Sequence, residues 1–387
     1  MSTQTIELLS LDGSNPLHLF AALGALLVTT DADAGCKLHW EWTSGAYVPI
    51  LTTTLERSAW ATHVAESASS AGRVSTDPAR TKAVQARKAK INAELKKTKD
   101  RLKLEQAQSK AEAKASGLIK SEAMRYASPD LVATRAEAKK LELAQTEVQN
   151  ELAAELGFGP AHIGDIIGVS PELFRAHAQK AYQTKGLHAR TLDTLAALAS
   201  DACTDTKSSL LRPTPFSFSN GASSQLLLKD FRSLSGLVTP AKVLAWATSV
   251  GDVGDKVTSL NWDPKDQVNY AYQWRDPGGA EAKKARATDT VSNALAYLGL
   301  GMLPVIPVRK YAAAVGYVQG EQRGLRWVLW RAPLGSSVIR ALLAEASDDG
   351  SASARLERTR RGILAAFGSN ISNPTGNRKF FAPSTPR

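Results

Sequence analysis

The feature that most restricts this chain is a change of composition at Asp77-Pro78. From there to Gly157-Phe158-Gly159-Pro160, Ala, Lys, Glu, Gln and Leu dominate, and glycine and aromatic residues almost vanish. Such residues favour a helix and are poor material for a compact core, so the segment must bury its few apolar side chains along a narrow seam. Val84, Ile91, Leu95 and Leu102 fall seven, four and seven residues apart. Leu131, Ala138, Leu141, Val148 and Leu152 continue such a pattern beyond breakers at Gly117 and Ser128-Pro129. The spacing predicts two antiparallel helices, the first on the order of 50 Å long at 1.5 Å per residue.

The flanks read as a mixed body. Thr5 to Leu11 alternates like a strand, and Asn15-Pro16 suits the cap and first position of a helix that is apolar nearly all round from Leu17 to Val28. Gly24 in that helix implies close packing. Lys37 to Trp42 and Tyr47 to Thr52 read as a hairpin around Ser44-Gly45. Beyond Gly157 helices are expected at Pro171–Gln183, Thr191–Ala199, Gln225–Leu234, Pro240–Ser249, Ala287–Leu300 and from Ser336. Strands are expected at Phe216–Gly221, Val257–Trp262, Tyr270–Arg275, Leu303–Val308, Ala313–Val318 and Leu325–Trp330. Ala352–Phe367 reads as a basic helix, with an extended or disordered tail after Ser369. The expected fold class is therefore α+β: a mixed body interrupted by a long antiparallel helical hairpin, coiled-coil-like. Residues 1–77 and 157–350 make the body, 78–156 the insertion, and 351–387 a basic helix and tail.

Charge is the outlying quantity, with a net +11 over 387 residues. It is not spread evenly: residues 80–155 carry +6, residues 353–387 another +6, and the remaining body −1. Concentrated basic blocks point to a polyanionic partner. Within the first block, Arg80 to Lys114 holds 12 Lys or Arg against 4 Asp or Glu, whereas Asp130 to Glu155 holds 3 against 6. One reading is a salt-bridged spacer or docking arm. The sharper one lays Arg87, Lys88, Lys90, Lys96, Lys97, Lys99, Arg101 and Lys103 along nucleic-acid phosphates, with salt-dependent, sequence-independent affinity. The second block holds Arg355, Arg358, Arg360 and Arg361, then Arg378 and Lys379 beside Phe380 and Phe381, which suits phosphate contact with base stacking; the plain alternative is a solvated helix and tail. Lys283, Lys284 and Arg286 follow the aromatic run Tyr270, Tyr272, Trp274 and are further candidates for backbone contact. The aromatic run itself reads first as sheet packing.

Catalytic signatures are absent: no GxxxxGK[ST], no GxGxxG after a strand, no HExxH and no GxSxG. Asp276, Glu281 and Lys283 distantly resemble a metal-dependent nuclease set but fall in a loop. The six histidines are dispersed, and His18 reads as a satisfied interior residue. Two isolated thiols, Cys36 and Cys203, argue against a zinc site or a disulfide framework and for a reducing cytoplasm. Neither a secretory leader nor a run of about 20 apolar residues is present, so no membrane partner is expected. No cofactor or metal is expected.

The run Leu11-Asp12-Gly13-Ser14-Asn15-Pro16-Leu17-His18-Leu19-Phe20-Ala21-Ala22-Leu23-Gly24-Ala25-Leu26 resembles the opening of several CRISPR-associated proteins encoded with type I-G (formerly I-U) systems. Trp262-Asp263-Pro264, Tyr270-Ala271, Leu303-Pro304-Val305-Ile306-Pro307 and Trp327-Val328-Leu329-Trp330-Arg331-Ala332-Pro333-Leu334 are similar to later motifs of the same set. The resemblance covers about a quarter of the chain and leaves out the helical segment. It implies a subunit of an RNA-guided antiviral complex without an active site of its own, contacting guide RNA, target DNA or other effector-complex subunits. The expectation is thus a non-catalytic nucleic-acid-binding subunit of a CRISPR-type ribonucleoprotein. A coiled-coil scaffold docking partner proteins stands second, and a metal-dependent nuclease third.

Overall fold

The computed structural model describes residues 3–72, 78–115, 129–155, 167–183, 189–206, 209–218, 227–249, 254–255, 257, 259–265, 288–308, 311–345, 357–373 and 379–387. Helix and sheet are mixed in an α+β arrangement. Internal contacts divide the chain into two compact units, one of Met1–Arg73 with Phe158–Arg387 and one of Val74–Gly157.

The first unit opens with β1 (Gln4–Glu7) and α1 (Pro16–Ala32). The Asn15 side chain accepts a hydrogen bond from the Leu17 N–H, and Pro16 stands where a helix needs no donor. β2 (Lys37–Thr43) and β3 (Ala46–Thr53) form a hairpin around Ser44 and Gly45, whose φ of 54° and 85° are the two left-handed positions of a tight turn. β3 is the central strand of an antiparallel sheet in the order β1-β3-β2. α2 (Arg57–Gly72), in a stretch where the sequence reading assigns no element, buries Trp60, Ala61, Val64, Ala65 and Ala68 on one face.

The second unit holds α3 (Pro78–Ala115) and α4 (Pro129–Glu155). Their facing residues run in opposite directions: Arg101 meets Glu137, Lys99 meets Glu142, and Asn92 meets Gln145. On α3 Val84, Lys88, Ile91, Leu95, Thr98, Leu102, Glu105 and Ser109, alternating four and three residues apart, are shielded from solvent, with Gln106 partly shielded beside them. On α4 Leu131, Thr134, Ala138, Leu141, Gln145 and Val148 follow the same rule. The two helices meet along this narrow seam, and six of the fourteen positions named on it are polar.

The first unit resumes with α5 (Pro171–Gln183), α6 (Ala189–Leu198), the hairpin of β4 (Ala199–Thr204) and β5 (Leu211–Pro213), α7 (Leu227–Ser235) and α8 (Pro240–Thr248). A two-residue pair, β6 (Gly254–Asp255) with β7 (Thr288–Asp289), leads into α9 (Thr290–Gly299), capped by the Asp289 carboxylate on the Ser292 N–H at 2.9 Å. Then come the hairpin of β8 (Val305–Val308) and β9 (Tyr311–Ala314), followed by β10 (Tyr317–Val318), β11 (Gly324–Trp330), α10 (Ser336–Glu345), β12 (Ile363–Ser372), β13 (Phe380–Phe381) and β14 (Thr385–Pro386). The second sheet runs β10-β11-β12-β13, with β14 also paired to β12.

The core is organised by α1 crossing α9. A Cβ on Gly24 would lie 1.8 Å from the Leu295 carbonyl oxygen, and one on Gly299 would lie 2.0 Å from that of Phe20, so both glycines are required for the approach. The two sheets are tied by buried indoles: Trp327 Nε1 donates to the Gly13 carbonyl at 2.8 Å and Trp330 Nε1 to that of Leu38 at 2.7 Å. Thus the opening motif and the Trp-rich motif near the end meet as packing, as do Asn15 and Asp263, which share a hydrogen bond of 3.2 Å.

Four expectations are corrected. Among the described residues of Val257–Trp262 there is no strand: Asn261 turns left-handed at φ 61°, and Trp262 is buried with its Nε1 donating to the Phe216 carbonyl at 2.9 Å. Phe216 and Phe218 fill the core from a turn rather than a strand. The basic helix expected over Ala352–Phe367 is helical at Glu357–Arg360 but does not run on to Phe367, because Gly362 at φ 76° ends it and the apolar run from Ile363 pairs with β11; residues 352–356 lie outside the described residues. The described residues of the tail after Ser369 form the end of β12, β13 and β14; Phe380 and Phe381 are buried there, and Phe381 packs against Phe20, Phe216 and Phe218. Short apolar runs carry no period that separates helix from strand, which accounts for the misassigned C-terminal helix. The expected strand Tyr270–Arg275 lies outside the described residues.

Candidate nucleic-acid interface

The seam fixes which basic residues of α3 point where. Lys99 and Arg101 flank it and face the acidic α4: Lys99 Nζ lies 2.8 Å from Glu142, and Arg101 pairs with Glu137 and, at 3.5 Å, with Glu105. The Arg101 Nε also donates to Thr134 Oγ1 at 3.3 Å. These cations are half used by the partner helix, although each exposed pair stabilises by no more than about 1 kcal/mol. Lys88 lies within the seam and is partly buried, so it does not belong to an outward face. Lys103 leans on Asp100 at 3.8 Å, with both side chains largely in solvent.

Lys90, Lys96 and Lys97 are exposed and make no ion pair among the described residues. In the phase set by the seam they occupy the outward positions, together with Lys82, Lys103 and Lys110. Lys96, Lys103 and Lys110 recur every seven residues, about 10 Å apart at 1.5 Å per residue. Arg87 is exposed beside the seam. Of the eight α3 cations selected from sequence, three lie free on the stripe, Lys103 lies on it with a weak partner, and the remainder sit at or beside the seam. Lys82 and Lys110 were missed, and the heptad phase of Val84, Ile91 and Leu95 is the signal that finds them.

The C-terminal block does not assemble as expected. Arg361 is committed to Glu357 at 2.9 Å and Glu345 at 2.8 Å, Arg358 is partly buried, and Arg360 is exposed. Lys379 is partly buried, and burial followed by the nearby Arg323 holds its ammonium below the usual lysine range. With Phe380 and Phe381 in the core, the Lys-Phe-Phe end has no ring free for stacking. Arg355, Arg378, Lys283, Lys284 and Arg286 lie outside the described residues, as do Asp276 and Glu281.

His18 is held by structure: its Nδ1 accepts the Asp12 N–H at 2.9 Å, and burial pushes its pKa down against the pull of Asp263, Asp289 and Asp12. Cys36 and Cys203 are both buried, and burial lifts the Cys36 thiol to about 12. Among the described residues no group of three or more His, Cys, Asp or Glu could hold a metal ion, and no helix is long and apolar enough to cross a membrane. Compared with known proteins, the chain matches no family model, no curated protein and no solved structure.

Proposed function

We propose that α3 and α4 form a helical hairpin inserted into the α+β body, and that the chain is a non-catalytic nucleic-acid-binding subunit of a CRISPR-type antiviral ribonucleoprotein. It would act in the cytoplasm, contacting guide RNA or target DNA backbone and neighbouring subunits. The resemblance of the Leu11-to-Leu26 opening and of the Trp-rich motifs supports the class. The observation that carries the nucleic-acid reading is the stripe of Lys82, Lys90, Lys96, Lys97, Lys103 and Lys110 on the face of α3 away from the seam. A row of cations in which Lys103 alone leans on a carboxylate, that of Asp100, gains most by displacing the counterions of a phosphate backbone.

The test is the salt dependence of binding to single-stranded RNA and DNA oligonucleotides, followed by anisotropy. The triple reversal Lys90→Glu, Lys96→Glu, Lys97→Glu is expected to weaken binding and to reduce the slope of log affinity against log salt by about 2. An unchanged slope sinks the reading. Leu104, Val132 and Leu143 are large apolar side chains left exposed on the same helices, and they favour a second reading, a scaffold that docks a protein helix. That reading predicts a partner whose affinity survives the lysine reversal and is lost in Leu104→Asp.

A further inference from the structure

The first unit contains a second basic feature with no acidic side-chain partner among the described residues. Arg326, at the centre of β11, is 3% exposed, and each of its contacts is a neutral oxygen. These are the carbonyls of Leu325 at 2.9 Å, Ser369 at 3.3 Å and Gln322 at 3.0 Å, and Asn370 Oδ1 at 2.8 Å. Its Nε has no hydrogen-bond partner, and neither has the Nε of Arg387. The two side chains converge over Gly368 of β12: a Cβ there would lie 2.5 Å from Arg387 Nε and 3.1 Å from Arg326 Nε. Burial, and then the like charge of Arg387, depress the Arg326 pKa. Two guanidinium groups brought together under one strand, with no acidic side chain among the described hydrogen-bond partners of Arg326, favour an anion beside them.

Arg387 is also one wall of an open groove of about 410 Å³. The groove is lined by Asp12, Trp42, Tyr47 and Phe367, which come from the opening turn, the β2–β3 hairpin and β12. Trp42 and Tyr47 are register partners whose rings lie 4.6 Å apart, edge to face, and Tyr47 meets Phe367 at 5.5 Å. The chain of rings anchors the floor to Trp327 at 5.7 Å, yet Trp42 is 59% exposed. An indole fixed by its neighbour and left open to solvent is a ready stacking surface, and a groove of this volume is in the range that holds a small ligand. Asp12 is preset on the rim by the N–H groups of Ser14 and Tyr47, each at 3.1 Å from its Oδ1, and by the Ser14 hydroxyl on Oδ2. Arg387 is fixed by its own N–H, which donates to the Ala366 carbonyl at 3.0 Å.

We propose that this groove is a nucleotide site: an unpaired base stacks on Trp42, its amino edge faces Asp12, and its phosphate meets Arg387, with Arg326 behind. The inference rests on the nucleic-acid reading, which it deepens by adding a subsite for one unpaired nucleotide on the body. It needs none of the lysines of α3, so the two can be tested apart.

The probe is ethenoadenosine monophosphate, titrated against the full chain by fluorescence anisotropy, beside its deoxyribose analogue and the nucleoside without phosphate. Binding is expected for both monophosphates if RNA and DNA are equally accepted, and preference for one identifies the sugar. Trp42→Ala is expected to weaken binding about tenfold, the cost of one lost base stack, and Trp42→Phe to restore part of it. Arg387→Gln is expected to weaken the monophosphate and leave the nucleoside unchanged. Because Trp42 is mostly in solvent, its variants should keep the wild-type melting temperature, which is checked in parallel. No binding by the wild-type chain, or equal binding by Trp42→Ala, overturns the site. If oligonucleotide binding still depends on Lys90, Lys96 and Lys97 in that case, the reading of α3 stands alone.

Discussion

Gly24 lies with its Cα against the Leu295 carbonyl, and no side chain can be added there without moving one helix. Gly24→Ala is therefore expected to destabilise the body by about 3 kcal/mol, the upper end of what overpacking costs, seen as a lower urea midpoint at unchanged slope. Asp230 gives a second residue-scale expectation, because burial raises its carboxyl to about 6 with only Lys229 opposing. The folded state then holds that proton more tightly than the unfolded chain does. Its contribution to stability is full below about pH 4 and is lost as the pH rises through 6. Asp230→Asn should stabilise the protein at pH 7 by about 1 kcal/mol, a figure discounted because the side chain keeps contact with solvent, and should flatten the slope between those limits. Asp33 and Asp255 act in the opposite sense. Asp33 is held low chiefly by the Thr54 N–H at 2.6 Å, and Asp255 by Lys242 at 2.6 Å and then Thr290. Their stabilisation is present above about pH 4 and fades below it. Thermal melts across pH 3 to 8, wild type against Asp230→Asn, separate the two trends.

At the scale of elements, the helices α3 and α4 show how much a repeat discloses. Val84, Ile91, Leu95, Leu131, Ala138 and Val148 announce the seam because their spacing alone fixes one face. Lys88, Thr98 and Glu105 complete it unannounced, since nothing in a polar residue's identity marks it as inward. Replacing Lys88 by Leu is expected to raise the thermal midpoint of helix loss by circular dichroism, worth about 1 kcal/mol, while oligonucleotide affinity holds. A fall in affinity would place Lys88 among the contacting residues instead. β12 is the opposite case. Its pairing with β11 and β14 is long-range, and the basic residues ahead of it look like a helix face until Gly362 breaks them off. The groove was illegible for the same reason: Trp42 stands more than 300 positions before Phe367 and Arg387, and only the packing of the two sheets brings them to one place.

The molecule as a whole is assembled by contacts between its two ends. Residue 13 receives a hydrogen bond from Trp327, Leu38 exchanges hydrogen bonds with Leu334, and α1 is laid against α9. The asymmetry of charge also takes shape at this scale: the basic excess of α3 is partly answered by α4, and the C-terminal excess is partly folded into a sheet. These end-to-end contacts have a consequence for biosynthesis. A ribosome adds about 5–20 residues per second, so α1 leaves the exit tunnel some tens of seconds before α9 has been made. During that interval one of the most apolar segments of the chain has none of its final partner available, while a long charged stretch is still being translated. The nascent chain is thus most exposed to aggregation early, and slower growth or added chaperone should improve soluble yield more than any gain in the stability of the finished fold.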